Sequence, residues 1–244
     1  MNRFTAFLTH FGISLVIFGI LGYFIVFHWY PGFFFATDGG WQGIRIVALV
    51  DLVLGPTLTF AVFKAGKPGL KFDLTMIGCL QAACLAAGTY VVYIERPIAM
   101  IFADGYFHSV TADDFMTEAG AIPDLSAYGS DYPIWISVAL PEDYTKQSAI
   151  RLQARQRNLP IRMLDDYFKP FETTDVDLQR DAFPLADIQL SDKGANALTK
   201  FLTEHGGSAE DYAFIRFGTR YELALLALKT SGEISGVLTL PAST

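Results

Sequence analysis

Three long runs of apolar residues near the start of the chain most constrain what it can fold into. The runs cover residues 11–28, 46–63 and 74–94; Asp51 is the one charged residue within them. Each run has roughly the ~20 residues that an α-helix needs to cross a hydrocarbon core about 30 Å thick. A helix that packs one side on the core of a soluble protein has a charged face on the other, and these runs have none. Residues 1–97 are therefore predicted to form a membrane domain of three transmembrane α-helices.

The first run has an alternative interpretation as a cleaved signal peptide. Only Arg3 precedes the run, and the run ends in the bulky sequence HWYPGFFF. Signal peptidase sites carry small residues instead. The pattern favours a retained membrane anchor.

The lysines between the runs predict the orientation. Lys64, Lys67 and Lys71 lie between the second and third runs, whereas the first connection has no basic residue before Arg45. The positive-inside rule then places the lysine loop and the N-terminus in the cytoplasm of a bacterial inner membrane. Residues 98–244 are expected in the periplasm. The residues expected to anchor the membrane interface are Trp29, Tyr30, Trp41 and Arg96.

The charge balance differs between the two parts of the chain. Residues 1–97 hold six basic and four acidic residues, a net +2, and residues 98–244 hold 12 basic and 21 acidic residues, a net −9. An acidic domain without a basic stripe is a poor ligand for nucleic acid. We therefore expect the lipid bilayer as a partner of the first part and no nucleic acid as a partner of the second.

Residues 98–244 are predicted to form an α+β domain. Asp104-Gly105 between apolar flanks is typical of a β-hairpin. Further strands are predicted at 133–141 and in the last 33 residues, and Ser191 is predicted to cap a helix that ends near Glu204. Another helix is predicted over 142–158, and the acidic stretch 165–184 is predicted to be irregular.

No constellation for catalysis is visible in this domain. Its histidines are His108 and His205, and the sequence has no G-x-S-x-G, H-E-x-x-H or phosphate-loop motif. Cys79 and Cys84 lie together in the third apolar run, where two thiols alone do not make a metal or redox site. We expect neither an enzyme, nor a cofactor, nor a metal site.

The second run carries an unusual polar block, VALVDLVLGPTLTF. A carboxylate inside a membrane must face protein, so Asp51 is predicted to bond within the bundle, to Thr89, Tyr90 or the first helix. The alternatives are that Asp51 holds a helix of another protein or lines an ion pathway with Gln81. The adjacent Gly55 and Pro56 predict a kink.

The third run is rich in small residues. Ala83, Ala87 and Gly88 belong to a series that allows two helices to approach closely. The series serves either packing within the three-helix bundle or docking of a fourth helix.

Several of these segments together resemble a known family. HFGISL, WYPG, GGW, DLVLGPTLTFAVFK, GKP and ERPIA are similar to segments of the TfpX/TfpZ family of type IV pilin accessory proteins; the most specific segment contains Asp51, Gly55 and Pro56. The resemblance covers about residues 5–105. It implies a non-enzymatic, chaperone-like membrane protein that supports the stability or assembly of a major pilin. The alternative is a membrane-anchored sensor or regulator whose periplasmic domain binds a ligand.

Overall fold

The chain folds into two compact units, which are described separately. The computed structural model describes residues 2–130, 132–221 and 223–240, with Leu223 described in its backbone alone. Met1–Arg96 form the helical unit and Pro97–Thr244 form the sheet domain. The sequence interpretation placed the boundary one residue later.

Within its described residues, the helical unit contains three helices that are long and apolar enough to cross a membrane: Arg3–Trp29, Gly40–Val62 and Leu70–Ile94. They are called here the first, second and third apolar helix. Each begins before the predicted apolar run, because a local signal starts it there. The side chain of Asn2 accepts a hydrogen bond from Thr5 N, and the glycines before the second and third helices, Gly39 and Gly69, have φ of 111° and 79°.

These helices depart from regular α-helical geometry in two places. π-helical turns occur at Ile25–Trp29 in the first helix and at Leu49–Leu54 in the second, and a short helix, Phe34–Thr37, lies in the connection between them. A π-turn shifts the hydrogen-bond register by one residue and is often found at functional sites.

The outward surface of the helical unit is apolar. Ile13, Val16, Ile20 and Leu80 are each more than half exposed. A monomeric soluble protein rarely exposes a continuous apolar surface of this kind, whereas lipid chains cover it without penalty. The surface and the length of the helices indicate association with a membrane.

The sheet domain is built on one seven-stranded mixed sheet. The spatial order of its strands is β4-β3-β1-β2-β5-β6-β7. β1 pairs with β3 and β2 with β5 in parallel, and the other neighbours are antiparallel. The strands are β1 Pro97–Ala103, β2 Tyr106–Thr111, β3 Ile134–Val138, β4 Phe168–Pro170, β5 Tyr212–Gly218, β6 Leu223–Lys229 and β7 Ile234–Leu240.

The predicted hairpin is confirmed. Asp104 and Gly105 join β1 to β2 with φ of 53° and 77°, and two positive φ angles are what a two-residue type I′ turn requires. A Cβ at Gly105 would approach Asp181 Oδ1 to 2.7 Å, so the turn also needs glycine for space.

The two predicted long helices are confirmed as Tyr144–Gln156 and Asp192–His205. Asp143 and Ser191 cap them by accepting hydrogen bonds from Lys146 N and Gly194 N. The stretch 165–184, predicted to be irregular, contains β4 and three short helical segments joined by irregular chain. The shorter helical segments are Ala112–Asp114, Phe115–Ala119, Leu125–Ala127, Ile161–Met163, Asp165–Tyr167, Thr173–Asp175, Leu178–Asp181, Leu185–Gln189 and Ala209–Asp211.

Two apolar clusters form the core of the sheet domain. One contains Ile101, Phe115 and Ile136 and lies on β1 and β3. The other contains Phe201, Phe214 and Leu238, so the helix Asp192–His205 packs on β5, β6 and β7. A mixed sheet with helices laid against it belongs to the α+β class.

Candidate functional site

A polar cluster joins all three apolar helices at the middle of their length. Asp51 is 0% exposed, and its Oδ1 accepts hydrogen bonds from Ser14 Oγ at 3.0 Å and from Gln81 Nε2 at 2.5 Å. Ser14 lies on the first helix and Gln81 on the third. Because an unpaired carboxylate is costly in an apolar surrounding, these donors determine where the three helices meet.

The observed partners correct part of the sequence interpretation. Asp51 bonds to a residue of the first helix, as predicted, but its other partner is Gln81 and not Thr89 or Tyr90. Asp51 lies eleven residues after Gly40 and eleven before Val62, so it is at the centre of the second helix.

The absence of a side chain at Gly55 leaves room for the amide of Gln81. A Cβ at Gly55 would lie 1.9 Å from Gln81 Oε1 and 2.6 Å from Nε2. Gly55 has φ of −59°, a conformation that any residue adopts. Glycine is therefore needed here for space and not for backbone freedom.

Pro56 follows at the start of a new α-helical segment, Gly55–Val62. Its ring removes one backbone donor from the helix. The π-helical turn Leu49–Leu54 directly precedes this point. Prolines and π-turns are the usual positions of helix kinks, and the kink at Gly55 and Pro56 stays a prediction.

Two buried acceptors in the cluster have no hydrogen-bond donor among the described residues. They are Asp51 Oδ2 and Gln81 Oε1. An unsatisfied buried acceptor costs about 1–3 kcal/mol. The cluster therefore joins the three helices although these two acceptors are left without donors.

The inner face of the second helix follows a four-residue spacing. It carries small, apolar and polar residues in one line, and all six are buried. Residues four apart lie on one face of a helix, so the spacing was visible in the sequence and could have identified this face. The line consists of Gly43, Val47, Asp51, Gly55, Thr59 and Phe63.

Two further polar contacts hold the first helix to the second. His10 Nδ1 lies 2.5 Å from Thr59 Oγ1, and Arg3 Nε donates to the carbonyl of Phe63 at 2.7 Å. With the Asp51 cluster they form a series from the middle of the bundle to the end near the lysine loop. Polar bonds between apolar helices contribute about 0.6 kcal/mol each on average.

The small residues of the third helix divide between its two sides. Gly88 is half-buried, and a Cβ there would contact Ile46 Cγ2 at 3.3 Å, so Gly88 packs on the second helix. Ala83 and Ala87 are exposed on the opposite side and make no bundle contact of that kind. The exposed small-residue surface consists of Gly78, Cys79, Ala82, Ala83, Ala86 and Ala87.

The four predicted interfacial residues lie at one end of the helical unit, but Tyr30 does not have the predicted environment. Tyr30 is 1% exposed, and its hydroxyl donates to the carbonyl of Val92 at 2.8 Å. It ties the connection after the first helix to the third helix, because its ring fills the space between them.

The other three residues are more accessible. Trp41 is 47% exposed and stacks under the Arg45 guanidinium. The Arg96 guanidinium lies 3.6 Å from the ring centre of Tyr93, which also contacts Trp29 edge to face. Amphipathic rings and long basic side chains together suit a membrane–water interface.

The sheet domain has a polar cleft of about 510 Å³ at the carboxyl ends of the parallel strands β1 and β3. Asp104 at its rim accepts two hydrogen bonds from the guanidinium of Arg151, at 2.5 and 2.7 Å. Deeper in the cleft, Asp175 bonds to Lys169 and accepts from Ser137 Oγ at 2.6 Å. The sequence interpretation missed this cleft, because its residues are far apart along the chain.

The two histidines of the sheet domain differ in exposure, since His108 is half-buried and His205 is exposed. Burial, and after it the positive charge of Arg162, lowers the pKa of His108 to about 4. His205 Nδ1 lies 3.0 Å from the carbonyl of Phe201, and its ring stacks on that phenylalanine. Neither histidine is among the residues that line the 510 Å³ cleft.

Comparison with known proteins identifies the family. The chain is 31% identical over 96 residues to the fimbrial assembly protein of Dichelobacter nodosus serogroups C1 and C2, which covers 38% of this chain and 72% of that protein. The chain belongs to the fimbrial assembly protein family.

Two longer members of the family match to the same degree. The fimbrial assembly proteins of D. nodosus serogroups I and E1 are also 31% identical over 96 residues, and this stretch spans 37% of their length. No family model and no solved structure matches the chain. Membership indicates a role in pilus assembly and does not by itself identify the TfpX/TfpZ group.

Proposed function

We propose that this protein is a non-enzymatic accessory protein of the bacterial inner membrane, which holds a type IV major pilin and supports its stability or assembly. A pilin awaiting assembly has a long apolar helix in the membrane and a globular head outside it. A protein that holds it needs a surface for the helix inside the bilayer and a domain on the side of the head. The helical unit and the sheet domain supply these two parts.

The orientation is proposed from the charges at the two ends of the helical unit. Arg3, Lys64, Lys67 and Lys71 surround one end, with Asp73 as the one acid. Arg45 and Arg96 at the other end are accompanied by Asp38 and Glu95. The positive-inside rule favours a cytoplasmic position for the first end. The sheet domain, which follows the third helix, is then periplasmic.

The observation that carries the proposal is the outward-facing small-residue surface of the third helix, in a member of the fimbrial assembly protein family. The contacts to the other two helices use the opposite side, through Gln81, Gly88 and Val92. Two series with a spacing of four, Gly78/Ala82/Ala86 and Cys79/Ala83/Ala87, remain on the exposed side. Small residues let a second helix approach closely, which is the main source of helix association in lipid.

The central cluster has a supporting role in this proposal. Asp51 is fully buried, so a partner helix cannot reach it without opening the bundle. Asp51, Gly55, Pro56 and Gln81 instead fix the bundle that presents the third helix.

The test is to obstruct the exposed surface without disturbing the bundle. Ala83→Leu, in cells that produce both proteins, should lower the amount of membrane pilin while the pilin messenger stays unchanged. The matched control is Ala61→Leu, which adds the same volume at an exposed position of the second helix. The proposal is wrong if Ala83→Leu leaves pilin levels equal to those of the wild type while deletion of the whole chain lowers them.

A second candidate function is supported by the 510 Å³ cleft. A polar cleft at the ends of parallel strands is a common position for a small ligand. The protein would then be a membrane-anchored sensor or regulator. Native mass spectrometry of the intact protein in detergent micelles would support this candidate if a small molecule remains bound and Arg151→Ala releases it.

A further inference from the structure

The two edges of the seven-stranded sheet are protected to different degrees. β4, at one edge, has three residues and contains Lys169 and Pro170, which prevent pairing with another strand. β7, at the other edge, has seven residues, ISGVLTL, with no proline and no charged side chain. Its pairing with β6 is regular from Gly236 to Leu240. β7 is therefore a long and chemically unprotected edge.

The outer side of β7 has no strand partner among the described residues. Each strand presents alternate N–H and C=O groups to either side, so about half of the backbone groups of β7 point away from β6. An extended segment placed beside β7 would pair with this row along its whole length.

A groove accompanies this edge. The groove has a volume of about 80 Å³ and lies between β7 and the helix Asp192–His205. Its lining residues include Ala197, Phe201 and Val237, and Lys200 and Glu204 lie at its rim. The helix is fixed beside the strand, since His205 lies so close to Gly236 that a Cβ there would meet Nε2 at 2.7 Å. The groove has room for about one aliphatic side chain. An edge strand and an adjoining groove are the two parts of a strand-addition site.

The net charge of the sheet domain favours a different partner over a second copy of this chain. Residues 98–244 carry a net charge of −9, with 12 basic and 21 acidic residues. Two copies paired edge to edge would bring two such domains together, and like charges disfavour this. A segment with apolar residues at alternate positions and basic flanks fits the edge and its surroundings better.

We propose that β7 and the groove beside it bind an extended segment of the pilin head by strand addition, with one apolar side chain of that segment in the groove. That the segment belongs to a pilin rests on the proposed function. The edge, the groove and the charge balance are independent of the small-residue surface on the third helix.

The experiment places a photo-crosslinking amino acid at Thr239, which is exposed on β7, in the full-length protein in cells that produce pilin. A second crosslinker position, Ala83, reports helix docking in parallel. We expect adducts from Thr239 to one short segment of the pilin head. Thr239→Lys, with the crosslinker moved to Val237, should reduce these adducts at least several-fold. Thr203→Lys, the same change on an exposed helix position, should not.

The other outcomes separate the two proposals. Pilin adducts from Ala83 but none from Thr239 would overturn strand addition and leave the proposed function standing. No pilin adduct from either position would overturn both. Adducts between two copies of this chain at Thr239 would show that the edge pairs with itself, which also overturns strand addition by pilin.

Hydrogen exchange on the intact protein in nanodiscs gives a second readout. With purified pilin at about 100 times Kd, amide exchange along 234–240 should slow on the order of 100-fold, because only the free fraction exchanges. Unchanged exchange in β7, with pilin bound elsewhere on the protein, would contradict the proposal.

Discussion

Gly55→Ala tests the packing of the central cluster. The new methyl group would lie 1.9 Å from Gln81 Oε1 and 2.4 Å from Cδ, so the amide of Gln81 must move away. The movement breaks the 2.5 Å hydrogen bond from Gln81 Nε2 to Asp51 Oδ1. Polar bonds between membrane helices contribute about 0.6–1.7 kcal/mol, and bonds to charged groups about 1.5–3 kcal/mol. We therefore expect a loss of about 1–3 kcal/mol in the free energy of unfolding.

The assay is equilibrium unfolding of the full-length protein in mixed micelles, by titration with sodium dodecyl sulfate and far-UV circular dichroism. Gly78→Ala is the matched control, because no atom lies within 4 Å of a Cβ at that position. It should leave stability unchanged or raise it by up to about 1 kcal/mol, as alanine favours helix.

The double variant Gly55→Ala/Gln81→Ala identifies the cause of the loss. Without the Gln81 amide the new methyl group has room, so Gly55→Ala should change the free energy of unfolding little in the Gln81→Ala background. If Gly55→Ala costs the same in both backgrounds, the contact with Gln81 is not the reason for glycine at position 55.

Two further predictions concern Tyr30 and His108. Tyr30→Phe removes the buried hydrogen bond to the Val92 carbonyl and should lower the free energy of unfolding by about 1 kcal/mol in the same assay. Tyr90→Phe, at a position 63% exposed, should leave the free energy of unfolding unchanged. Equal values for the two variants would refute the assigned role of Tyr30. His108 has a pKa of about 4 in the folded protein and an ordinary pKa near 6.5. Between these two pH values the unfolded chain binds a proton at His108 that the folded protein does not bind. The free energy of unfolding should therefore fall by up to about 3 kcal/mol as the pH is lowered from 6.5 to 4. Urea unfolding followed by Trp135 fluorescence should show this fall in the Trp29→Phe/Trp41→Phe background, and His108→Gln should remove most of it; a pH dependence unchanged by His108→Gln would refute the assignment.

The sequence alone predicts the larger elements and fails at the contacts between them. Uncharged runs require apolar helices, and Asp104-Gly105 requires a hairpin, because these signals are local. Ser14 carries no such signal, since a serine in an apolar helix reveals neither its side nor its partner. Gly88 and Ala83 are both small residues in the same apolar helix, yet one packs on Ile46 and the other faces outward.

The strand order likewise combines local pairings, which a sequence can indicate, with non-local pairings, which it cannot. β5, β6 and β7 follow one another in the chain and pair in sequence, as local hairpins do. β1 lies between β2 and β3, and β2 pairs in parallel with β5, whose first residue is about 100 positions further along the chain. The cleft beside β1 and β3 and the free edge of β7 both depend on these non-local pairings, so neither could be predicted from the sequence.

The most direct measurement of the central claim is photo-crosslinking from the third apolar helix in native membranes. The account predicts adducts with the membrane helix of the major pilin from Ala83 and Ala87, on the exposed small-residue surface, and few or none from Val16 and Ile20, which are exposed on the first helix. Equal pilin adducts from all four positions, or none from Ala83 and Ala87 in a strain with normal pilin levels, would contradict it.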